Sequence, residues 1–216
     1  MVSTRNRPLD DPTDAGPAVR EVGRARIPTA TGTFEATAFC DTDGREHLAY
    51  VSTTPPSALP LVRLHSECLT GDVLGSIRCD CGSQLRRALE ITGAEGGAVL
   101  YLRGHEGRGV GLGQKILAYG LQDEGLDTVE ANLALGHAAD LRRYDVAATM
   151  LQALGLTTIR LLSNNPAKAR GLAEHGIEVV EEVPLAGEVT AENSRYLATK
   201  RDRLAHTYGP IGDAAT

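Results

Sequence analysis

The sequence predicts an α/β fold: a single domain on a mixed sheet, with an N-terminal β region and crossover helices. Three observations carry that expectation. Residues 25–40 are rich in Thr and Phe, in rough apolar and polar alternation. From about residue 59, short apolar runs alternate with stretches of helical periodicity. No internal repeat or low-complexity linker divides the 216 residues, a length that can bury one sizeable core.

In chain order, residues 1–21 carry Pro8, Pro12 and Pro17 among Asp10, Asp11 and Asp14 and read as a disordered leader. The domain is expected over 22–206 and a flexible tail over 207–216. Residues 25–40 read as one strand, 41–44 as a turn and 47–53 as a second strand, together a hairpin or meander. A third strand is expected at 59–65, then a helix over 82–95 with Leu85, Ala88, Leu89 and Thr92 at helical spacing and Ser83 as its cap. A strand at 97–103 runs into a glycine-rich loop and a helix over 112–124, with Ile116, Tyr119 and Leu112 on one face and Gly125 as its stop. A helix over 144–154 buries Val146, Met150, Leu151 and Leu154. A strand at 157–163 leads to Asn165-Pro166, a cap and first helical position, and a last strand at 177–183 precedes a charged helix over 191–206.

Composition excludes several classes. The net charge is −6, and with two Phe and no Trp there is little aromatic surface for stacking bases, so a nucleic-acid polymer is not an expected partner. No apolar run approaches the roughly 20 residues of a membrane span. Arg5 and Arg7 are not followed by an apolar segment of a secretion signal, so cytoplasm is the expected location.

The chemistry concentrates between Arg63 and Gln84. Cys68, Cys79 and Cys81 are spaced Cys-x10-Cys-x-Cys. A structural zinc site normally closes with four protein ligands, whereas a catalytic one leaves a position open, so three thiolates favour a working metal. The alternative, three small core residues, sits badly with Asp80 between two of them and the turn-forming Gly82-Ser83 after them. A disulfide is disfavoured in an intracellular chain. Cys40 lies outside the spacing and reads as structural. His65 could be a fourth ligand, a substrate contact or a structural residue; alternation along a strand leaves the choice open.

The run Gly104 to Lys115 fails the P-loop test, because Gln114 precedes Lys115 and Ile116 follows it. What remains is a strand, a loop and a helix start with backbone amides and Arg108 available to an anion. Arg142 and Arg143 precede one expected helix and Lys168 falls in the first turn of another. Cations at helix N-termini oppose the macrodipole, and a bound phosphate would resolve the conflict. A zinc nucleobase deaminase is excluded, because its His-x-Glu paired with Pro-Cys-x-x-Cys is missing.

The stretch from Arg63 to Gly82 resembles the zinc-site signature of GTP cyclohydrolase II. The similarity continues through Glu106-Gly107-Arg108, through the segment from Asp127 to Asn132, through Asp140-x-Arg142 and through Asn164-Asn165-Pro166-x-Lys168. The resemblance implies one Zn²⁺ per subunit on Cys68, Cys79 and Cys81, and Mg²⁺ accompanying the triphosphate. It implies GTP contacts from Arg63, Leu64, His65, Ser66, Glu67, Gln84, Glu106, Gly107, Arg108, Thr128, Ser163 and Lys168. Catalytic roles fall to Tyr119 in the hydrolysis after ring opening, to Asp140 as proton acceptor and to Arg142 as nucleophile toward the α-phosphorus. A guanidinium stays protonated, so stabilising phosphoryl charge is the physically easier task for Arg142. The implied reaction opens the imidazole ring of GTP, releases formate and pyrophosphate and gives 2,5-diamino-6-ribosylamino-4(3H)-pyrimidinone 5′-phosphate. A homodimer is implied as well. The alternatives are a relative that stops at the formamidopyrimidine nucleotide and a non-catalytic, zinc-stabilised GTP-binding module.

Overall fold

The computed structural model describes residues 19–56, 58–137, 142–204, 206 and 207. Among these lies one seven-stranded mixed sheet in the order β1-β2-β3-β5-β4-β6-β7. Strands β1 (Val19–Thr29), β2 (Gly32–Asp41), β3 (Glu46–Ser52) and β5 (Gly97–Leu102) pair antiparallel in succession. Strands β5, β4 (Leu61–Ser66), β6 (Thr158–Leu162) and β7 (Glu178–Val183) pair parallel. The α/β expectation therefore holds.

The stretch read as a single strand over 25–40 is two strands. The chain reverses at Ala30 and Thr31, with Thr29 opposite Gly32. The turn is built by the Thr29 hydroxyl, which accepts from the Thr31 amide at 3.2 Å and donates to the Gly32 carbonyl at 2.8 Å, while Gly32 takes φ 140°. A hydroxyl turn of this kind leaves the Thr-rich alternation unbroken. Strand β1 begins at Val19, inside the stretch read as a leader; most of that leader and all of the tail except Thr207 lie outside the described residues.

Alternation along the strands splits the core between the two faces of the sheet. Val62, Leu64, Ala98 and Leu100 pack with α5 (Asp145–Ala153) and with Leu172 of α6 (Pro166–Ala173). Leu61 and Val99 pack on the other face with Ala88 of α2 (Cys81–Glu95). Arg63 and His65 share parity with Leu61 and so lie on the α2 face.

Two helices were not foreseen: the single turn α1 (Leu69–Asp72) and α4 (Thr128–Ala134). Helix α4 is fixed by a capping box in which the Asp127 carboxylate accepts from the Val129 and Glu130 amides and Glu130 accepts from the Asp127 amide. Helix α2 is not capped by Ser83. Its N-cap is Asp80, and Ser83 Oγ instead donates to the Asp80 carbonyl at 2.9 Å. On α3 (Leu112–Asp123) the buried residues are Lys115 and Ala118, while Leu112 and Ile116 are exposed, so the expected apolar face is not the packed one. Asn165 caps α6 as expected, accepting from the Ala167 amide at 3.0 Å with Pro166 in the first turn. The last element among the described residues is α7 (Ser194–Leu204).

The topology fixes where a ligand can sit. From β4 the chain crosses to β5 on one side, and from β6 it crosses to β7 on the other. The connections diverge between β4 and β6, and open α/β sheets bind ligands at the carboxyl ends of strands at such a point.

Candidate functional site

A cleft opens at the carboxyl ends of β4, β5 and β6, lined by Arg63 to Cys68, by Glu106 to Arg108 and by Ser163 to Lys168, apart from Leu64, Pro166 and Ala167. Cys79, Cys81, Gln84, Tyr119, Thr128 and Arg142 complete it from the sites expected in sequence. Leu64 is the exception: the pleat turns its side chain into the α5-side core, fully buried, and only its carbonyl serves the site. Asp140 lies outside the described residues.

One end of the cleft is a thiol pocket. The sulfurs of Cys68, Cys79 and Cys81 lie within 4.8 Å of one another, and Cys68 and Cys79 are 3.7 Å apart without a disulfide. Tetrahedral coordination at about 2.3 Å from zinc places sulfurs about 3.8 Å apart, so the spacing fits that ion. Glycine is required beside it: a Cβ on Gly71 would meet Cys79 Sγ at 2.8 Å and Cys68 Sγ at 3.2 Å. Hydrogen bonds from the Cys79 and Cys81 thiols, with the Lys115 ammonium 3.1 Å away, hold the Cys68 thiol far below its usual range. That anion opposes ionisation next door, pushing Cys79 up to about 11 and Cys81 well above the usual value. A divalent cation reverses this, because it favours all three thiolates together.

Among the described residues, the only group of three or more metal-ligating side chains close enough to hold an ion is these three cysteines. His65 is turned elsewhere, with Nε2 3.0 Å from Asp72 Oδ1 and its ring stacked on Tyr101. Asp72 Oδ2 accepts from the Cys68 amide at 3.0 Å and from the Tyr101 hydroxyl at 2.8 Å, so His65 braces the backbone of Cys68 through that carboxylate. Burial lowers the His65 pKa and keeps the ring neutral. Cys40, at the end of β2, donates to its neighbouring Asp41 carbonyl at 3.5 Å, in keeping with a structural role.

The loop after β5 closes over the thiols. Glu106 accepts from the Leu69 amide at 2.7 Å and from Lys115 Nζ at 2.5 Å, joining three segments around Cys68. Gly107 and Arg108 both take positive φ, 59° and 65°, which is costly for Arg108 and holds the tight turn that presents its guanidinium. Tyr119, on α3, lies on the cleft wall with the Arg78 guanidinium 4.6 Å from its ring centre, and burial raises its hydroxyl pKa.

The other end is cationic. Arg63 reaches across the β4–β6 gap to donate to the Leu162 carbonyl at 3.0 Å and to Gln84 Oε1 at 2.6 Å. Gln84 in turn donates to Asp80, which also accepts from Lys200 of α7 at 3.1 Å. Lys168 Nζ folds back to the Leu64 carbonyl at 2.6 Å. Burial first, and then the charges of Arg63, Arg142 and Lys200, push the Lys168 pKa well below the ordinary lysine value. A bound polyanion would reverse those repulsions. Ser163 is buried, its hydroxyl accepting from the Asn165 amide at 3.0 Å.

Sequence reasoning missed Lys115 and Lys200. Each arrives from a distant segment, and a lysine on a helix ordinarily faces solvent. The buried stripe of α3 points to Lys115 only once the helix has been placed.

The arrangement defines an α/β protein with three clustered cysteines, close enough to hold a metal ion, at one end of a cleft whose other end gathers Arg63, Lys168 and Arg142. Residues 19–184 match the family model of GTP cyclohydrolase II, and the chain belongs to that family. It is 54% identical over 198 residues to the riboflavin biosynthesis protein RibBA of Nocardia farcinica, covering 90% of this chain and 48% of that protein. It is 52% identical over 202 residues to RibBA of Mycobacterium tuberculosis, with the same coverage. To the monofunctional riboflavin biosynthesis protein RIBA 3, chloroplastic, of Arabidopsis thaliana it is 50% identical over 193 residues, 88% of this chain and 38% of that one. The chain thus spans less than half the length of these relatives.

Proposed function

We propose that the chain is a zinc-dependent GTP cyclohydrolase II that opens the guanine imidazole ring of GTP and releases formate and pyrophosphate. The product is 2,5-diamino-6-ribosylamino-4(3H)-pyrimidinone 5′-phosphate. The observation that carries this reading is the pairing, in one cleft, of a three-thiolate pocket with a cluster of buried cations. Cys68, Cys79 and Cys81 would hold the zinc, whose chemistry is to acidify water toward neutral pH and to polarise the carbon under attack. The chain's own groups do the rest. Arg63, Arg142 and Lys168 balance the triphosphate, Arg142 as a donor to phosphoryl oxygens rather than as an attacking group. Tyr119 stands beside the thiols with its hydroxyl kept protonated, available to hydrogen-bond the formyl group in the second hydrolysis. Gln84, Thr128, Ser163 and the Glu106-Gly107-Arg108 turn shape the nucleotide pocket, and Asp140 is the expected proton acceptor.

Mg²⁺ would travel with the triphosphate. It prefers oxygen ligands and few protein carboxylates, and both described carboxylates of the cleft wall are engaged: Glu67 accepts from the Gly104 amide, Glu106 from Leu69 and Lys115. A homodimer is supported by exposed apolar side chains at Leu112, Ile116 and Leu117 on α3 and Leu133 on α4. A cytoplasmic location is part of this reading; no described helix is long and apolar enough to cross a membrane.

The test is to incubate zinc-loaded protein with GTP and Mg²⁺ and to quantify products by mass spectrometry. Formate, pyrophosphate and the diaminopyrimidine in equal amounts are expected. A formylated product would mean that the second hydrolysis is missing, and unchanged GTP would favour a non-catalytic GTP-binding module.

A further inference from the structure

Building on that reaction, we propose that Lys200 of α7 is a positioning residue for the nucleotide: it takes up the charge of the buried Asp80 carboxylate and so leaves Arg63 to the triphosphate. Tyr196 and Lys200 bring α7 to the wall of the cleft, where Arg63 and Lys168 also stand.

Four side chains run in line from α7 to the gap between β4 and β6. Lys200 Nζ lies 3.1 Å from Asp80 Oδ1, and Asp80 Oδ2 accepts from Gln84 Nε2 at 2.6 Å. Gln84 Oε1 accepts from one Arg63 nitrogen at 2.6 Å, while another reaches the Leu162 carbonyl at 3.0 Å. The ends of this line fix its middle. A carboxylate only accepts and a guanidinium only donates, so the Gln84 amide can stand one way round. The Asp80 side chain is 1% exposed and that of Lys200 12%, which shields the ion pair from water. A buried carboxylate deprived of its counter-charge is strongly unfavourable and draws on whatever cation can reach it. Arg63 stands one amide away. Paired with Asp80 instead, Arg63 would give up the Leu162 carbonyl and bring no net charge to the cleft.

The chain around Lys200 holds it to this task. After β7, the Leu185 amide donates to Asn164 Oδ1 at 2.8 Å and its carbonyl accepts from Asn164 Nδ2 at 2.6 Å. The chain then lies along the start of α2, where the Glu188 amide donates to Ser83 Oγ at 3.0 Å. A Cβ on Gly187 would meet Asp80 Cβ at 2.7 Å, so any larger residue there would press on the carboxylate that Lys200 serves. Helix α7 is anchored by Arg195, which donates to the Gly125 carbonyl at 2.6 Å, and by Arg203, paired with Asp127 at the start of α4. Beyond it the Thr207 amide donates to the Asn164 carbonyl at 2.9 Å. The segment thus leaves from and returns to Asn164, next to Ser163 of the cleft. Within it Lys200 Nζ sits 4.3 Å from the centre of the Tyr196 ring, which steadies the ammonium from its own helix.

The first test is a double-mutant cycle read through KM for GTP on the zinc-loaded full chain, with zinc content and a thermal melt recorded for each variant. Lys200→Met should raise KM about tenfold while kcat moves less. Lys200→Arg should stay within about twofold of wild type. In an Arg63→Met background, Lys200→Met should add less than about twofold, because the group it positions is already gone. Additive losses would mean that Lys200 meets the phosphates itself and would overturn the proposal. A lowered melting temperature with unchanged KM would overturn it as well, leaving Lys200 a purely structural contact. The second test does not require an Arg63 variant. Asp80→Asn added to Lys200→Met removes the charge that Lys200 answers, and KM should return to within about twofold of wild type. A KM as high as that of Lys200→Met alone would sink the idea. Wild-type protein that neither binds nor turns over GTP would instead remove the reading beneath it.

Discussion

The two ends of the cleft are assembled in opposite ways. The thiol end comes from one stretch: Cys68 and Cys79 are 11 residues apart, and Cys81 follows at once. At the cationic end, the Lys168 contact with Leu64 spans 104 residues and the Lys200 contact with Asp80 spans 120. They also differ in charge. The thiol end answers its own anion with Lys115, itself tied to Glu106, whereas at the cationic end Lys168 is repelled by Arg63, Arg142 and Lys200. Under the proposed reaction, ring chemistry would belong to the thiols and phosphate chemistry to the cations.

The harshest way to break the contrast is Cys79→Ala. Two thiolates should no longer retain the metal; zinc content, measured by atomic absorption, should collapse, with formate release falling to background. Undiminished formate release would show that the cluster is not where the ring opens. A finer cut is Tyr119→Phe, expected to slow formate release about a hundredfold while pyrophosphate continues, with the formylated nucleotide accumulating. If both products fell together, the division between the ends would dissolve.

Lys168→Met tests the cationic side. KM for GTP should rise about tenfold or more, the loss of one charge-assisted contact of about 1.5–3 kcal/mol. The same variant carries a pH signature. Because the folded pKa of Lys168 lies below the unfolded lysine value of 10.5, the folded chain loses this proton first as pH rises. Stability should therefore increase with pH from the depressed folded value up to 10.5, and thermal melts of wild type and variant should converge or cross in that direction. Bound triphosphate should flatten the slope. The opposite slope would mean that Lys168 is stabilised in its charged form without ligand. The smallest effect is expected from Asp127→Ala, which removes the capping box of α4 at a cost of about 1 kcal/mol in denaturant unfolding, with kcat little changed.

The same difference decides what could be read from sequence. The thiols were legible because ligand spacing is a local property, and the strands at Leu61–Ser66 and Thr158–Leu162 were legible as short apolar runs. Lys115 and Lys200 were not, because only packing brings them to Cys68 and Asp80. Arg63 and Leu64 were read as equivalent contacts, yet the pleat separates neighbours onto opposite faces, and that parity is known only when the buried face has been assigned. The hairpin at Ala30-Thr31 escaped because a threonine hydroxyl makes the turn, and α4 escaped although Asp127 and Glu130 already stood at capping-box spacing.

The sequence-local origin of the thiol pocket has a consequence for the order in which the molecule comes into being. Closing a short loop costs little chain entropy, and that cost grows with loop length. Cys68, Cys79 and Cys81 can meet around a metal as soon as the chain has been synthesised a little beyond α2, while the contacts of Lys168 and Lys200 must wait for two later segments. A nascent chain, or one truncated before α7, would thus bring its three cysteines within reach of one another before the contacts of Lys168 and Lys200 have all formed.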